Sequence, residues 1–175
     1  MPAACEHLAR PCLNIAISKS LQLNTHINAK AIMLIQLTYA SRTSSVLGPG
    51  DIKDILSSSA RNNVSVGVTG MLCLSNGIFL QQLEGESEAV NALYHRILLD
   101  RRHKEPAVLD LSEIVSRRFA TWSMGLLGYT QENKQLFLKH SAAAEFNPFR
   151  MSPASLRAFF DEVVQNVRWL SSRIR

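Results

Sequence analysis

The chain has 175 residues, of which 46% are hydrophobic and 19% charged, an ordinary composition for one globular domain with short appendages. The formal net charge of +5 belongs to the two ends, because residues 33–128 hold nine basic and nine acidic side chains. A neutral centre offers no electrostatic footprint for a phosphate backbone, so the sequence argues against nucleic-acid binding.

Cysteine usage and hydropathy limit the compartment in which the chain works. Cys5, Cys12 and Cys73 form no metal-ligand spacing and leave one cysteine unpaired, which favours a reduced, cytoplasmic chain. No apolar run approaches the roughly 18 to 20 residues needed to span a bilayer, and the N-terminus lacks a compact signal sequence. We therefore expect a cytoplasmic protein with no metal site and no membrane contact.

The first elements follow a segment without periodicity. Residues 1–32 show no sustained apolar pattern, and we expect a poorly ordered extension there. From Met33 to Tyr39, apolar and polar residues alternate, which predicts a half-buried strand with Tyr39 at the end of its inward face. After the loop that ends in Pro49-Gly50, the apolar spacing predicts a helix that ends near Arg61.

A β-hairpin with one polar residue on its apolar face comes next. Asn76-Gly77 between two β-prone runs predicts a two-residue type I′ turn, which pairs Ser75 with Ile78 and Leu72 with Gln81. The alternation then places six residues on one face: Gly70, Leu72, Leu74, Phe79, Gln81 and Leu83. Gln81 alone in this set is polar, and an unpaired buried carboxamide costs about 1 to 3 kcal/mol. We therefore expect a polar partner for Gln81 inside the fold.

The remaining elements complete an alternating pattern. A second helix follows Glu86 and Glu88, and Arg96, Asp100 and His103 have the spacing of one polar stripe along it. A fourth strand is predicted after Pro106, and a fifth strand contains Trp122 and Met124 on one face. The order strand, helix, strand, strand, helix, strand, strand predicts an α+β sandwich of the ferredoxin-like type, with two helices on one face of a mixed five-stranded sheet.

An amphipathic C-terminal helix is predicted from Pro153 to Leu170. Ser152 is a candidate N-cap before Pro153, and a continuous apolar stripe follows. This stripe must be covered, so the helix either closes the open face of the sheet or packs on another chain.

Four blocks of sequence resemble the BLUF family of blue-light sensors, which hold a flavin, usually FAD. They are TYAS at 38–41, the hairpin ending in LEG at 83–85, DRRH at 100–103 and RRFATWSM at 117–124. The blocks have the order and the spacing of the family. The resemblance implies a flavin-binding domain at residues 33–128, preceded by the extension 1–32 and followed by a helical extension at 129–175.

The resemblance also implies roles for particular residues. In the family, light moves an electron and a proton from a tyrosine through a glutamine to the flavin, and these positions match Tyr39 and Gln81, with Ser41 nearby. Trp122 and Met124 match a mobile pair beside the glutamine. The residues that match the flavin-binding positions are Tyr39, Asn62, Asn63, Gln81, Arg96, Asp100, Arg102 and His103.

The resemblance implies a receptor that is not itself an enzyme. The 47 residues after Gly128 leave room for about two helices, so we expect the output to be a separate protein partner or a change in homo-oligomeric assembly. Two alternatives stay open. One is a ferredoxin-like hydrolase of small acyl phosphates that uses Arg42 in the loop after the first strand. The other is a ligand-binding or oligomerisation module whose sensor chemistry has lapsed.

Overall fold

A computed structural model of the protein describes residues 33–120, 122–141, 145–166 and 170–173. The extension expected over residues 1–32 lies outside this range. The described elements, in chain order, are β1 (Leu34–Thr43), α1 (Pro49–Ser65), β2 (Thr69–Ser75), β3 (Ile78–Glu86), α2 (Ser87–Leu98), β4 (His103–Glu113), β5 (Trp122–Gly128), α3 (Lys134–Lys139), a 3-10 turn (Pro148–Arg150), α4 (Pro153–Asn166) and β6 (Leu170–Arg173). None of the described helices has the length and apolar character needed to cross a bilayer.

The strands form one mixed sheet in the order β4-β1-β3-β2-β5-β6. β2 and β5 run parallel, whereas the other neighbouring pairs are antiparallel. The predicted α+β sandwich of the ferredoxin-like type is confirmed, and the short strand β6 extends the sheet beyond the five predicted strands.

The hairpin has the predicted turn and register. Asn76 and Gly77 have φ angles of 49° and 71°, the left-handed values that a type I′ turn requires at both positions. Ser75 pairs with Ile78, and Leu72 pairs with Gln81. On its other side β3 pairs with β1, so that Tyr39 lies directly opposite Gln81.

Helices cover both faces of the sheet. On one face Ile55 of α1 and Leu93 of α2 pack in a core cluster with sheet residues such as Phe79. On the opposite face Phe159 and Phe160 of α4 are fully buried against sheet residues that include Leu80. Of the two possibilities left open for the C-terminal helix, the structure shows the first, since α4 covers the open face of the sheet.

The C-terminal helix is shorter than predicted. α4 ends at Asn166 and Leu170 begins β6, so the prediction of one helix as far as Leu170 is wrong. β6 pairs with β5, whose outer edge would otherwise present unpaired backbone groups. The spacing of apolar residues does not show that the edge of β5 needs a neighbouring strand, so the sequence pattern could not predict β6. Residues 167–169, which the predicted helix included, lie outside the described residues.

Three other boundaries differ from the predicted ones: the end of β1, the end of α1 and the start of β4. β1 continues through Ser41 and Arg42, which were predicted to lie in a loop. α1 continues to Ser65 and ends where Gly67 adopts a left-handed φ of 66°, instead of near Arg61. β4 begins at His103 instead of after Pro106, because it is an edge strand in which a proline is tolerated.

Candidate functional site

A cleft lies between α1 and α2 over the sheet face that carries Tyr39 and Gln81. Its cavity volume is about 140 Å³, and it is open to solvent on one side. This value is below the usual range of small-molecule sites, about 300 to 1,000 Å³. The structure brings all eight predicted flavin-binding residues into the lining of this cleft: Tyr39, Asn62, Asn63, Gln81, Arg96, Asp100, Arg102 and His103.

Tyr39 is the polar partner that the buried carboxamide of Gln81 requires. The fully buried Tyr39 hydroxyl donates a hydrogen bond to Gln81 Oε1. Nε2 of the same carboxamide lies 3.5 Å from the sulfur of Met124 on β5. Burial, followed by the influence of Tyr94 and Asp100, raises the pKa of the Tyr39 phenol, so that it stays protonated at neutral pH. The expectation of a polar partner for Gln81 is confirmed.

The side chain of Ser41 supports His103 from beneath the cleft. Ser41 Oγ lies 2.7 Å from His103 Nδ1, and Ser41 is fully buried because β1 extends past Tyr39. The His103 ring also packs on Phe79, with 4.6 Å between the ring centroids. Burial lowers the pKa of His103, which favours a neutral ring beside the cleft.

Asn62 and Asn63 lie in the last turn of α1 and differ in exposure. Asn63 is buried, and its Nδ2 donates to the backbone carbonyl of Ser123 on β5 at 3.0 Å. Asn62 is exposed at the rim of the cleft. Asn63 therefore ties the helix to the sheet at the same place where its carboxamide lines the cleft.

The charged residues after α2 reach the cleft by a different route from the one predicted. α2 ends at Leu98, so Asp100 lies in the following turn and His103 begins β4. The prediction that Arg96, Asp100 and His103 form a stripe on one helix is therefore wrong, although the turn still brings them to one cleft. Arg102 Nε donates to both carboxylate oxygens of Asp100 at 3.0 Å, and these bonds lower the pKa of Asp100.

Trp122 and Met124 are the two predicted site residues of β5. Met124 is fully buried and packs on the cleft face of the sheet beside Gln81. The side chain of Trp122 lies outside the described part of the chain, so its predicted role beside the glutamine stays a prediction.

Sequence reasoning missed the α1 contribution to the lining. Ser58 and Ser59 lie in the cleft together with Ile55. These residues precede Asn62 and Asn63 by three to eight positions along α1, which is the spacing of one helical face. Had α1 been predicted to continue through the asparagine pair, this spacing would have identified both serines.

Comparison with known proteins decides the family. Residues 34–125 match the family model described as BLUF, sensors of blue-light using FAD. The chain belongs to the BLUF family. It is 33% identical over 92 residues to photoactivated adenylate cyclase subunit beta of Euglena longa, a match that covers 52% of this chain and 11% of that protein. It is also 33% identical over 94 residues to the blue light- and temperature-regulated antirepressor BluF of Escherichia coli K12, covering 54% of this chain and 23% of that protein.

A solved structure agrees with this assignment. The structure titled BlsA photo-activated state superposes with a TM-score of 0.70 at 28% identity, covering 81% of this chain and 100% of that one. The chain spans less than a quarter of the length of both curated relatives. As a BLUF protein it is a blue-light photoreceptor that binds a flavin, and the acyl-phosphate hydrolase is not favoured.

The residues of the cleft suit a flavin. The carboxamides of Gln81 and Asn63 offer both donors and acceptors, which match the mixed polar edge of an isoalloxazine ring. Apolar walls from Ile55, Leu72 and Leu93 suit the faces of a planar ring.

Proposed function

We propose that this BLUF protein binds FAD non-covalently in the cleft between α1 and α2, and that blue light alters the hydrogen bond between Tyr39 and Gln81. The observation that carries the proposal is the buried contact between the Tyr39 hydroxyl and Gln81 Oε1 inside a cleft lined by the predicted flavin-binding residues. A bound flavin would supply the absorption of blue light and an acceptor for an electron.

Tyr39 and Gln81 have the properties that the chemistry needs. The phenol is neutral because burial raises its pKa, so its proton leaves only when an electron leaves as well. Gln81 Oε1 is in place to receive that proton. A carboxamide both donates and accepts, so rotation or tautomerisation of Gln81 exchanges hydrogen bonds without burying a net charge. Met124, on the other side of the carboxamide, is the neighbour that would respond, and we propose the same role for Trp122.

The cationic end of the cleft supports FAD as the flavin. Arg96 and Arg102 line this end, and a guanidinium can bind two phosphate oxygens at once; Arg102 would do so through the edge that its bonds to Asp100 leave open. Asp100 would orient Arg102 through the bonds described above, and His103, held by Ser41, would pack beside the ring. Asn62 and Asn63 would bind the polar edge of the flavin.

We propose further that the output is a light-dependent contact with a separate protein or with another copy of this chain, without catalysis by this chain. Relatives are described as an antirepressor and as subunits of adenylate cyclases, so the same sensor type serves different outputs.

Absorption spectra of the purified protein test the proposal. We expect a yellow protein whose flavin band moves to longer wavelength under blue light and returns in darkness. Chromatography of the released cofactor distinguishes FAD from FMN, and light scattering in darkness and under illumination measures assembly. A colourless protein, or a flavin band that light does not move, would contradict the proposal.

A further inference from the structure

A second hydroxyl and carboxamide pair lies directly behind the first. Thr38 and Gln82 form the rung of the β1–β3 ladder next to Tyr39 and Gln81, and they point to the face that α4 covers. Gln82 Nε2 donates to Thr38 Oγ1 at 2.9 Å, and both residues are fully buried. The two carboxamides are therefore separated by one peptide unit and by the thickness of the sheet.

Arg118 connects this back pair to helix α4. One terminal nitrogen of its guanidinium lies 2.5 Å from Gln82 Oε1 and 3.2 Å from Gln36 Oε1. On its other side Nε lies 2.8 Å from Oδ1 of Asp161, a residue of α4. The Arg118 side chain is 20% exposed and Gln82 is fully buried, so their charge-assisted bond is shielded from solvent, whereas Asp161 is 54% exposed and its bond to Arg118 is partly screened.

We propose that Arg118 is a positioning residue that couples the Tyr39–Gln81 pair to the docking of helix α4. This inference rests on the proposed function and adds the route by which the pair affects the opposite face. A change in the hydrogen bonds of Gln81 shifts the β3 backbone, and Gln82 moves with it because the two residues share a peptide group. Arg118 then exchanges part of its bond to Gln82 for other partners, which weakens its hold on Asp161.

The chain offers a matched control on the same helix. Arg157, one turn before Asp161, forms an ion pair with Asp110 of β4 at 2.5 Å. This contact also holds α4 on the sheet, but within the described part of the chain Arg157 bonds to Asp110 and not to Gln82. Loss of Arg157 should therefore loosen α4 equally in darkness and in light.

Hydrogen exchange of the α4 amides in the flavin-loaded protein tests the coupling. In the native chain we expect blue light to speed exchange about tenfold, the effect of losing one charge-assisted hydrogen bond. Arg118→Met should make the dark and lit rates equal while the flavin red shift persists. Arg157→Met should raise both rates and keep their ratio.

Each outcome decides between the proposals. A native protein with a red shift but equal α4 exchange in darkness and light overturns the coupling and leaves the photoreceptor function standing. Persistence of the tenfold ratio in Arg118→Met overturns it as well, whereas a native protein without a red shift removes both. Should Arg118→Met not fold, Asp161→Asn, which retains the Arg118–Gln82 bond, must lose the light dependence; if it keeps that dependence, the coupling is wrong.

Discussion

Gln81 and Gln82 are consecutive residues of β3, and each forms a hydrogen bond with a β1 hydroxyl on its own face of the sheet. Gln81 bonds to Tyr39 beside the cleft, and Gln82 bonds to Thr38 beneath α4. Two identical side chains thus lie in different surroundings one peptide unit apart. Substitutions at the two positions therefore separate effects on the flavin from effects on the opposite face.

Replacement of Tyr39 by phenylalanine removes the proposed donor while keeping the ring. We expect Tyr39→Phe to bind flavin normally and to lose the persistent red-shifted state, because no hydroxyl remains to supply a proton to Gln81. Absorption spectra before and after a blue-light pulse measure this. Tyr94→Phe is the control. The centroid of the Tyr94 ring lies 5.2 Å from that of Tyr39, but the hydroxyl that donates to Gln81 is that of Tyr39. A normal red shift in Tyr39→Phe would remove Tyr39 from the mechanism.

Replacement of Gln81 by leucine tests the carboxamide. The variant should retain flavin and lose the red shift, and its free energy of unfolding should fall by about 1 to 3 kcal/mol because the buried Tyr39 hydroxyl loses its partner. Gln82→Leu, on the other face, should keep the red shift. Spectra and urea unfolding of both variants measure these effects. If Gln82→Leu alone lost the shift, the assignment of the two faces would be wrong.

Gly70 marks a place where β2 and β3 approach too closely for any side chain. A Cβ at Gly70 would lie 2.5 Å from the backbone carbonyl oxygen of Gln82 and 3.1 Å from a methyl group of Leu83. We expect Gly70→Ala to lower the free energy of unfolding by about 1 to 3 kcal/mol, since backbone must move. Gly50→Ala should cause no loss, because apart from its chain neighbours and the backbone of its own helix no atom lies within 4 Å of the new Cβ. Equal urea midpoints for the two variants would contradict this packing.

Titration of His103 should make stability depend on pH. Burial holds the folded-state pKa below the unfolded value of 6.5, so the unfolded chain binds more protons between the two values. The free energy of unfolding should therefore fall as the pH drops below 6.5 toward the folded-state pKa. His103→Gln should lose less stability than the native protein over this interval. Identical pH profiles for the His103 variant and the native protein would exclude the effect.

The pairing of Gln81 with a buried polar group could be predicted from the sequence, because it follows from the hairpin turn and from hydrogen-bond energetics. Asn76 and Gly77 fix a two-residue turn, the turn fixes the register, and the register shows Gln81 as a polar exception on an apolar face. Elementary hydrogen-bond energetics then demand a partner, which the structure supplies as Tyr39. The family resemblance added the flavin, which no spacing of residues could have specified.

Features that depend on tertiary pairing were not accessible in the same way. β6 forms at the edge of β5, and Arg118 reaches Asp161 across 43 positions of sequence. In the sequence Arg118 is one charge of a neutral domain, because neither its buried acceptors nor its partner on α4 can be located before the order of the strands is known. Asp100 and His103 likewise reach the cleft because the chain turns after Leu98, whereas their spacing in the sequence suggested that the helix continues.

The irregular shape of β4 has a consequence for behaviour at high concentration. This strand forms one border of the sheet, its pairing with β1 shifts register twice, Pro106 lacks an amide hydrogen, and Glu105 has a φ of 50°. A strand from a neighbouring molecule would find an interrupted series of donors and a bent template there. Growth of cross-molecular β-structure from this border is thereby disfavoured, which protects a crowded solution of the receptor against fibril formation.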